Sequence, residues 1–172
     1  MPSLTFENLS DEKKNLITQA LLHEFSEHNL ANAQVARIVK EAGIARGAFY
    51  KYFEDIKDAY TYVYRDSLLK LHSKDIRNHT ILSADQYTKQ VADFIEQVHD
   101  SQYRELLKRH YTINESLIEV DAPSKLLPLD KKEWAVMTLT HQAIREGLVH
   151  SEESDMILNR LHSVLVDILK EG

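Results

Sequence analysis

The run Arg46-Gly47-Ala48-Phe49-Tyr50-Lys51-Tyr52-Phe53 puts two cations and four aromatic rings into eight residues. These side chains could work on a polyanion. The Arg46 guanidinium can donate two parallel hydrogen bonds to a guanine edge, or one to a phosphate. The hydroxyls of Tyr50 and Tyr52 can donate to phosphate oxygens, and Lys51 adds a point charge. Gly47 has no side chain to keep another backbone at a distance. Across residues 33–53, Arg37, Lys40, Arg46 and Lys51 stand against one acid, Glu41, a local balance of +3 on a chain whose net charge is −6. A small basic patch on an acidic chain suits local phosphate contact, and equally suits a solvated face.

Such residues need rigid elements to aim them, and the flanking sequence reads as helix. Ser10 is placed to cap a first helix, with Asp11 and Glu12 in the first turn. Leu16, Ile17, Ala20, Leu21 and Phe25 then recur at helical spacing. That helix is expected to end at His28-Asn29-Leu30, with Asn29 left-handed. A second, short helix carries Val35, Ile38, Val39 and Ala42 and stops at Gly43. A third runs from near Ala45 to near Tyr52. On it Ala45, Phe49 and Phe53 share a face, expected to pack on Val35, Ile38 and Phe25. The other side presents Arg46, Gly47, Tyr50 and Lys51. Two short helices joined at a glycine, the second with a polar outer face, make a helix-turn-helix pattern, whose second helix enters the DNA major groove. A plain three-helix core with a polar outside has the same pattern.

Residues 25–60, "FSEHNLANAQVARIVKEAGIARGAFYKYFEDIKDAY", resemble the DNA-binding domain of the TetR/AcrR transcriptional regulators. The shared positions are Phe25, the turn at Asn29, Val35, Ile38, Ala42-Gly43-Ile44, Arg46-Gly47, and Phe49-Tyr50-x-Tyr52-Phe53. The resemblance implies an all-α chain. It implies a three-helix helix-turn-helix domain over residues 1–55, and a helical ligand-binding and dimerisation domain over 56–172. It further implies a ligand-responsive regulator, usually a repressor, that binds a palindromic operator in double-stranded DNA as a homodimer. Ligand would swing the fourth helix and change the spacing of the two recognition helices. Expected on the DNA are Arg46, Gly47, Tyr50, Lys51 and Tyr52, with Ala48 on a thymine methyl and Gln34, Arg37 and Lys57 at the edges. Three hydroxyls common in the family are absent: Ala33, Ala45 and Ala48 stand there, and Ile56 replaces a frequent lysine. Asn32 is then the expected cap of the second helix.

Beyond residue 55 the pattern stays helical. Helices are expected over 56–77, 84–99, 101–117, a stretch ending at Gly147, and 154–170, with a Pro-containing loop at 119–130. By the same resemblance, a small-molecule effector would sit among the middle helices, near Phe94, Tyr103, His110 and Tyr111 and near Trp134, Met137 and His141. Core filling accounts for each of these residues as well. The stripe Ile157, Leu161, Val164, Leu165 and Ile168 on the last helix is the expected dimer interface, or core.

Composition removes several other classes. There is no cysteine, which excludes disulfides and thiolate chemistry. The first residues have neither the basic nor the apolar region of a signal peptide, and no apolar run spans a bilayer, so the expected location is the cytoplasm, with no membrane partner. The nine histidines lack metal-ligand spacing, so no metal and no cofactor are expected beyond the effector. No P-loop, no Gly-x-Ser-x-Gly elbow and no catalytic constellation appears, so no enzyme activity is expected. The remaining alternative is a helical protein-interaction adaptor that has lost strong DNA binding.

Overall fold

Ser10 begins the first long helix as its position suggests, its side chain accepting the Lys13 N–H. In the computed structural model, residues 2–71, 82–118 and 129–170 are described. Every regular element among them is helical. Two compact units result: residues 1–70 with 103–118, and residues 71–102 with 119–172. The first unit therefore takes in residues beyond 55 as well.

In the first unit a short helix α1 (Leu4–Glu7) precedes α2 (Asp11–Glu27), α3 (Val35–Glu41), α4 (Arg46–Tyr52) and α5 (Ile56–Leu71). Ile17, Leu21, Phe25, Ile38, Phe49, Phe53 and Tyr60 are almost wholly buried, and α3 packs on both α2 and α4. Ala45 differs from expectation: it is exposed as the residue before α4, not in the core. Gly43 ends α3 with φ +64°. The Ile44 N–H reaches the Val39 carbonyl at 3.0 Å, closing a left-handed helix stop that a side chain at Gly43 would strain. Asn29 is not left-handed, since among the described residues only Gly43 has positive φ. Instead the Asn29 side chain accepts the Asn32 N–H at 3.0 Å. That side-chain turn shapes the α2–α3 connection without a reversed backbone.

A second layer of aromatics lies under α4. Phe6 of α1 packs against Phe53 at 5.1 Å between ring centroids, Tyr62 at 5.0 Å and Tyr52 at 5.9 Å. The Tyr62 hydroxyl meets Thr18 Oγ1 at 2.9 Å, and Thr18 itself donates to the Lys14 carbonyl. Tyr60 sits edge-on to Phe25 at 5.0 Å. The helix α7 (Arg104–Arg109) packs on α2 and continues through a π turn at His110–Asn114. Arg109 Nε donates to the Ser26 carbonyl at 2.7 Å, and the Leu30 N–H donates to Asn114 Oδ1 at 2.9 Å. Both bonds secure the end of α2 and the turn after it.

The second unit packs α6 (Ala84–His99), α8 (Lys131–Val149) and α9 (Ser154–Lys170) on one another. Reciprocal capping boxes open α6 at Ser83/Gln86 and α8 at Asp130/Glu133. Gly147 does not end α8 but lies inside it, and a Cβ there would come within 2.5 Å of Ile95 Cδ1. A side chain there would require the end of Ile95 to shift. The expected extension of α5 to Arg77 and most of the loop at 119–130 lie outside the described residues.

Candidate nucleic-acid interface

Phe49 decides which way α4 faces. Its ring is fully buried, edge-on to Tyr50 at 5.3 Å and 5.5 Å from Phe53. With Phe49 and Phe53 inward, helical rotation turns Arg46, Gly47, Tyr50 and Lys51 to the outside, where all four are exposed. The Arg46 guanidinium lies 6.0 Å from the centre of the Tyr50 ring, a cation–π contact that holds it along the face. Ala48 is partly exposed, and Gln34 and Lys57 are exposed on α3's leading edge and α5's first turn. A Cβ on Gly47 would meet nothing within 4 Å, so nothing inside the chain requires glycine there. Tyr52 departs from the expectation of a phosphate contact. Three residues after Phe49, it shares the inward face and is 6% exposed against Phe6.

The missing cap of α3 is replaced from another helix. Neither Gln34 nor Asn32 caps it with a side chain. Instead Glu24 of α2, 5% exposed, accepts the Gln34 N–H on Oε1 at 2.7 Å. The same carboxylate takes two forked bonds from Arg37, Nη2 to Oε1 at 2.6 Å and Nε to Oε2 at 2.8 Å. Arg37 Nη2 also donates to the Asn32 carbonyl at 2.9 Å. Arg37 is thus engaged by Glu24 and the Asn32 carbonyl as a positioning group, while its side chain stays 38% exposed. Burial pushes the Glu24 carboxyl up, but the Arg37 fork and the Gln34 N–H outweigh it and hold the carboxyl below its ordinary value of 4.5.

A second clamp joins α2 to the end of α3. His23 Nδ1 lies 2.8 Å from a Glu41 oxygen, and Nε2 lies 3.3 Å from Glu27. The Glu41 hydrogen bond and charge raise the His23 pKa above 6.5. Its contribution to stability is therefore full below 6.5 and is lost as pH rises through the raised value. Arg37 and Glu41 thus each have a partner of opposite charge at the surface of the domain. Among the described residues Lys40, Lys51 and Lys57 meet no carboxylate at ion-pair distance, and Arg46 meets the Tyr50 ring.

Residues 17–58 match the sequence profile of the bacterial regulatory proteins, tetR family. The chain carries a tetR-family domain. Its fold is similar to that of solved TetR family transcriptional regulators. A TetR family transcriptional regulator from Chloroflexus aurantiacus J-10-fl shares 20% identity, over 100% of this chain and 98% of its own, with a TM-score of 0.53. Another, from Pseudomonas syringae pv. tomato str. DC3000, has 11% identity, 92% and 97% coverage and a TM-score of 0.57. The transcriptional regulator FadR from Bacillus subtilis, solved with stearoyl-CoA, has 15% identity, 89% and 97% coverage and a TM-score of 0.51. No curated protein sequence matches the chain.

The residues expected at a ligand are distributed over both units. Tyr103, His110 and Tyr111 are buried in the first unit. His110 Nδ1 lies 3.0 Å from the Tyr60 hydroxyl, and the His110 ring stacks on Tyr64 at 3.8 Å. Burial raises the phenol pKa values of Tyr60, Tyr64 and Tyr111. Phe94 is buried on α6, whereas Trp134, Met137 and His141 stand exposed along α8. Of the two expected places for the α9 stripe, Ile157, Leu161 and Leu165 take the core: they belong to the second unit's own cluster, with Ala143, Val91 and Ile95. Only Val164, 38% exposed, and Ile168, partly buried, remain near the surface.

The Glu24 arrangement was not visible in the sequence, because its partners lie 10 and 13 residues away on another helix. Glu24→Gln keeps the shape and removes the charge. At pH 7 it is expected to lower unfolding stability by about 1–2 kcal/mol. Because the folded carboxyl lies below 4.5, the gap between wild type and variant should hold above pH 4.5 and close as pH falls through the folded value. Urea unfolding of both proteins across pH 3–8 measures it. A gap that is absent at pH 7, or unchanged at the acid end, would remove Glu24 from this role.

Proposed function

We propose that the chain is a ligand-responsive transcriptional regulator that binds a palindromic operator in double-stranded DNA as a homodimer and represses. The observation that carries this reading is the division of charge on the helix-turn-helix. Arg37 is paired with Glu24, and Glu41 with His23, whereas Lys40, Arg46, Lys51 and Lys57 are exposed without acidic partners. Unpaired cations beside an open glycine suit a phosphate backbone. In this reading Arg46 forks onto a guanine edge. Tyr50, Lys51, Lys57 and Gln34 hold phosphates, Ala48 meets a thymine methyl, and Gly47 lets the DNA backbone come close. The proposed place of action is the cytoplasm. Among the described residues, no helix is long and apolar enough to cross a membrane.

Dimerisation is proposed through the outward faces of α8 and α9. Trp134 and Met137 on α8, and Met156 and Val164 on α9, are large apolar side chains at 38–57% exposure. Large apolar side chains left in water are costly, and a second copy laid on these two helices would cover them. Two recognition helices then reach successive major grooves about 34 Å apart, so a palindrome is the matching target. Sedimentation equilibrium is the measure: wild type should run as a dimer and Trp134→Glu as a folded monomer. A monomeric wild type, or a variant that stays dimeric, would contradict this interface.

The effector is proposed to be a small molecule, and acyl-CoA thioesters are the first class to try, since FadR from Bacillus subtilis holds stearoyl-CoA. It would act by changing the separation of the recognition helices. The function itself is tested by selecting bound duplexes from a random pool, with Arg46→Ala in parallel. Wild type should enrich a palindrome, with affinity falling steeply as salt rises, and Arg46→Ala should lose the enrichment. Adding acyl-CoA thioesters to the captured complex tests release. No enrichment even at low salt would overturn the DNA-binding reading and favour a protein-interaction adaptor.

A further inference from the structure

Residues before the segment matched to the family, which starts at residue 17, make a direct connection to α4. The Ser3 N–H donates to the Tyr52 carbonyl at 2.9 Å. Ser3 Oγ donates to the Lys51 carbonyl at 2.6 Å and accepts the Phe6 N–H at 3.3 Å. One residue therefore opens α1 and closes α4. The last carbonyls of a helix have no partner within it, and here two of them are satisfied from the far end of the domain. Three residues on, Phe6 is 1% exposed and wedged against Tyr52, Phe53 and Tyr62.

A helix of seven residues, Arg46–Tyr52, cannot hold its own shape in water. Its first turn has no side-chain cap, since Ala45 stands at that position. Its orientation is left to Phe49 and Phe53 beneath it and to the bonds at its final turn. Those bonds fall on the carbonyls of Lys51 and Tyr52, one at a residue that faces outward and one directly after it. We infer that Ser3–Phe6 is a strap that sets the position of α4, and that Ser3 is a positioning residue for operator recognition. This rests on the DNA-binding reading for its functional half. The strap bonds the last carbonyls of α4 and packs Phe6 on the buried Tyr52, so in this inference it acts through the position of the helix.

The test compares wild type, Ser3→Ala and Ser3→Thr, the last keeping the hydroxyl. Amide hydrogen exchange on the free proteins reads the strap without DNA. Ser3→Ala should speed exchange at residues 50–53 by about fivefold to tenfold, with α2 amides unchanged and Ser3→Thr close to wild type. Affinity is then measured for the duplex that wild type enriches and for a scrambled duplex of the same composition. Ser3→Ala should weaken the enriched duplex by about fivefold to tenfold, leave the scrambled one within about twofold, and be rescued by Ser3→Thr. Unchanged exchange in Ser3→Ala overturns the strap. Equal losses on both duplexes, or no loss, overturn its role in recognition. If wild type enriches no duplex, the DNA-binding reading fails and the functional half of the inference falls with it, while the exchange result still decides whether the strap holds α4.

Discussion

A carboxylate withdrawn from water holds the helix-turn-helix in register. Glu24 sits on the long helix α2 and reaches the start of α3, where it takes up both a backbone N–H and the fork of Arg37. A buried charge is tolerated only when it is paired and fully hydrogen-bonded. That requirement fixes the approach of α3 to α2 at one point, and His23 with Glu41 fixes it at the other end of α3. From α3 the Gly43 turn leads directly into α4. The direction of the outward face of α4 thus follows from contacts made two helices away.

The same arrangement sorts the charges. Within residues 33–53, Arg37 and Glu41 are paired with Glu24 and His23 of α2 while their side chains stay partly exposed. Lys40, Arg46 and Lys51 of the same stretch are exposed and meet no carboxylate at ion-pair distance. The aromatics sort in a similar way. Phe49, Tyr52 and Phe53 fill the core, and Tyr50 alone stays half outside, under Arg46. The question of whether these rings build a core or a contact surface therefore has two answers, divided by helical phase.

The helices of the first unit are legible because they rest on local signals: Ser10 as a cap, apolar residues at helical spacing, and Gly43 as a stop. Outward placement of Arg46, Tyr50 and Lys51 followed from the same periodicity. Other features depend on partners far apart in sequence, and no local pattern announces them. Ser3 with Lys51, Glu24 with Arg37 and Gly147 with Ile95 are of this kind. Tyr52 was misplaced because a tyrosine hydroxyl was read as an outward group, while its distance from Phe49 put the ring inward. On α9 the apolar stripe was correctly seen, but periodicity cannot say whether a neighbouring helix or a second copy covers it. Here α6 and α8 cover most of it.

Gly47 offers the most direct test, because it separates fold from function. A methyl group there meets no atom of the chain, and alanine favours helix over glycine by up to about 1 kcal/mol. If the face of α4 lies against DNA, Gly47→Ala should unfold at the same temperature or higher, yet bind the duplex enriched by wild type about tenfold more weakly. A stable Gly47→Ala protein that binds that duplex as tightly as wild type would contradict the account, since the open face of α4 would then not be where DNA docks.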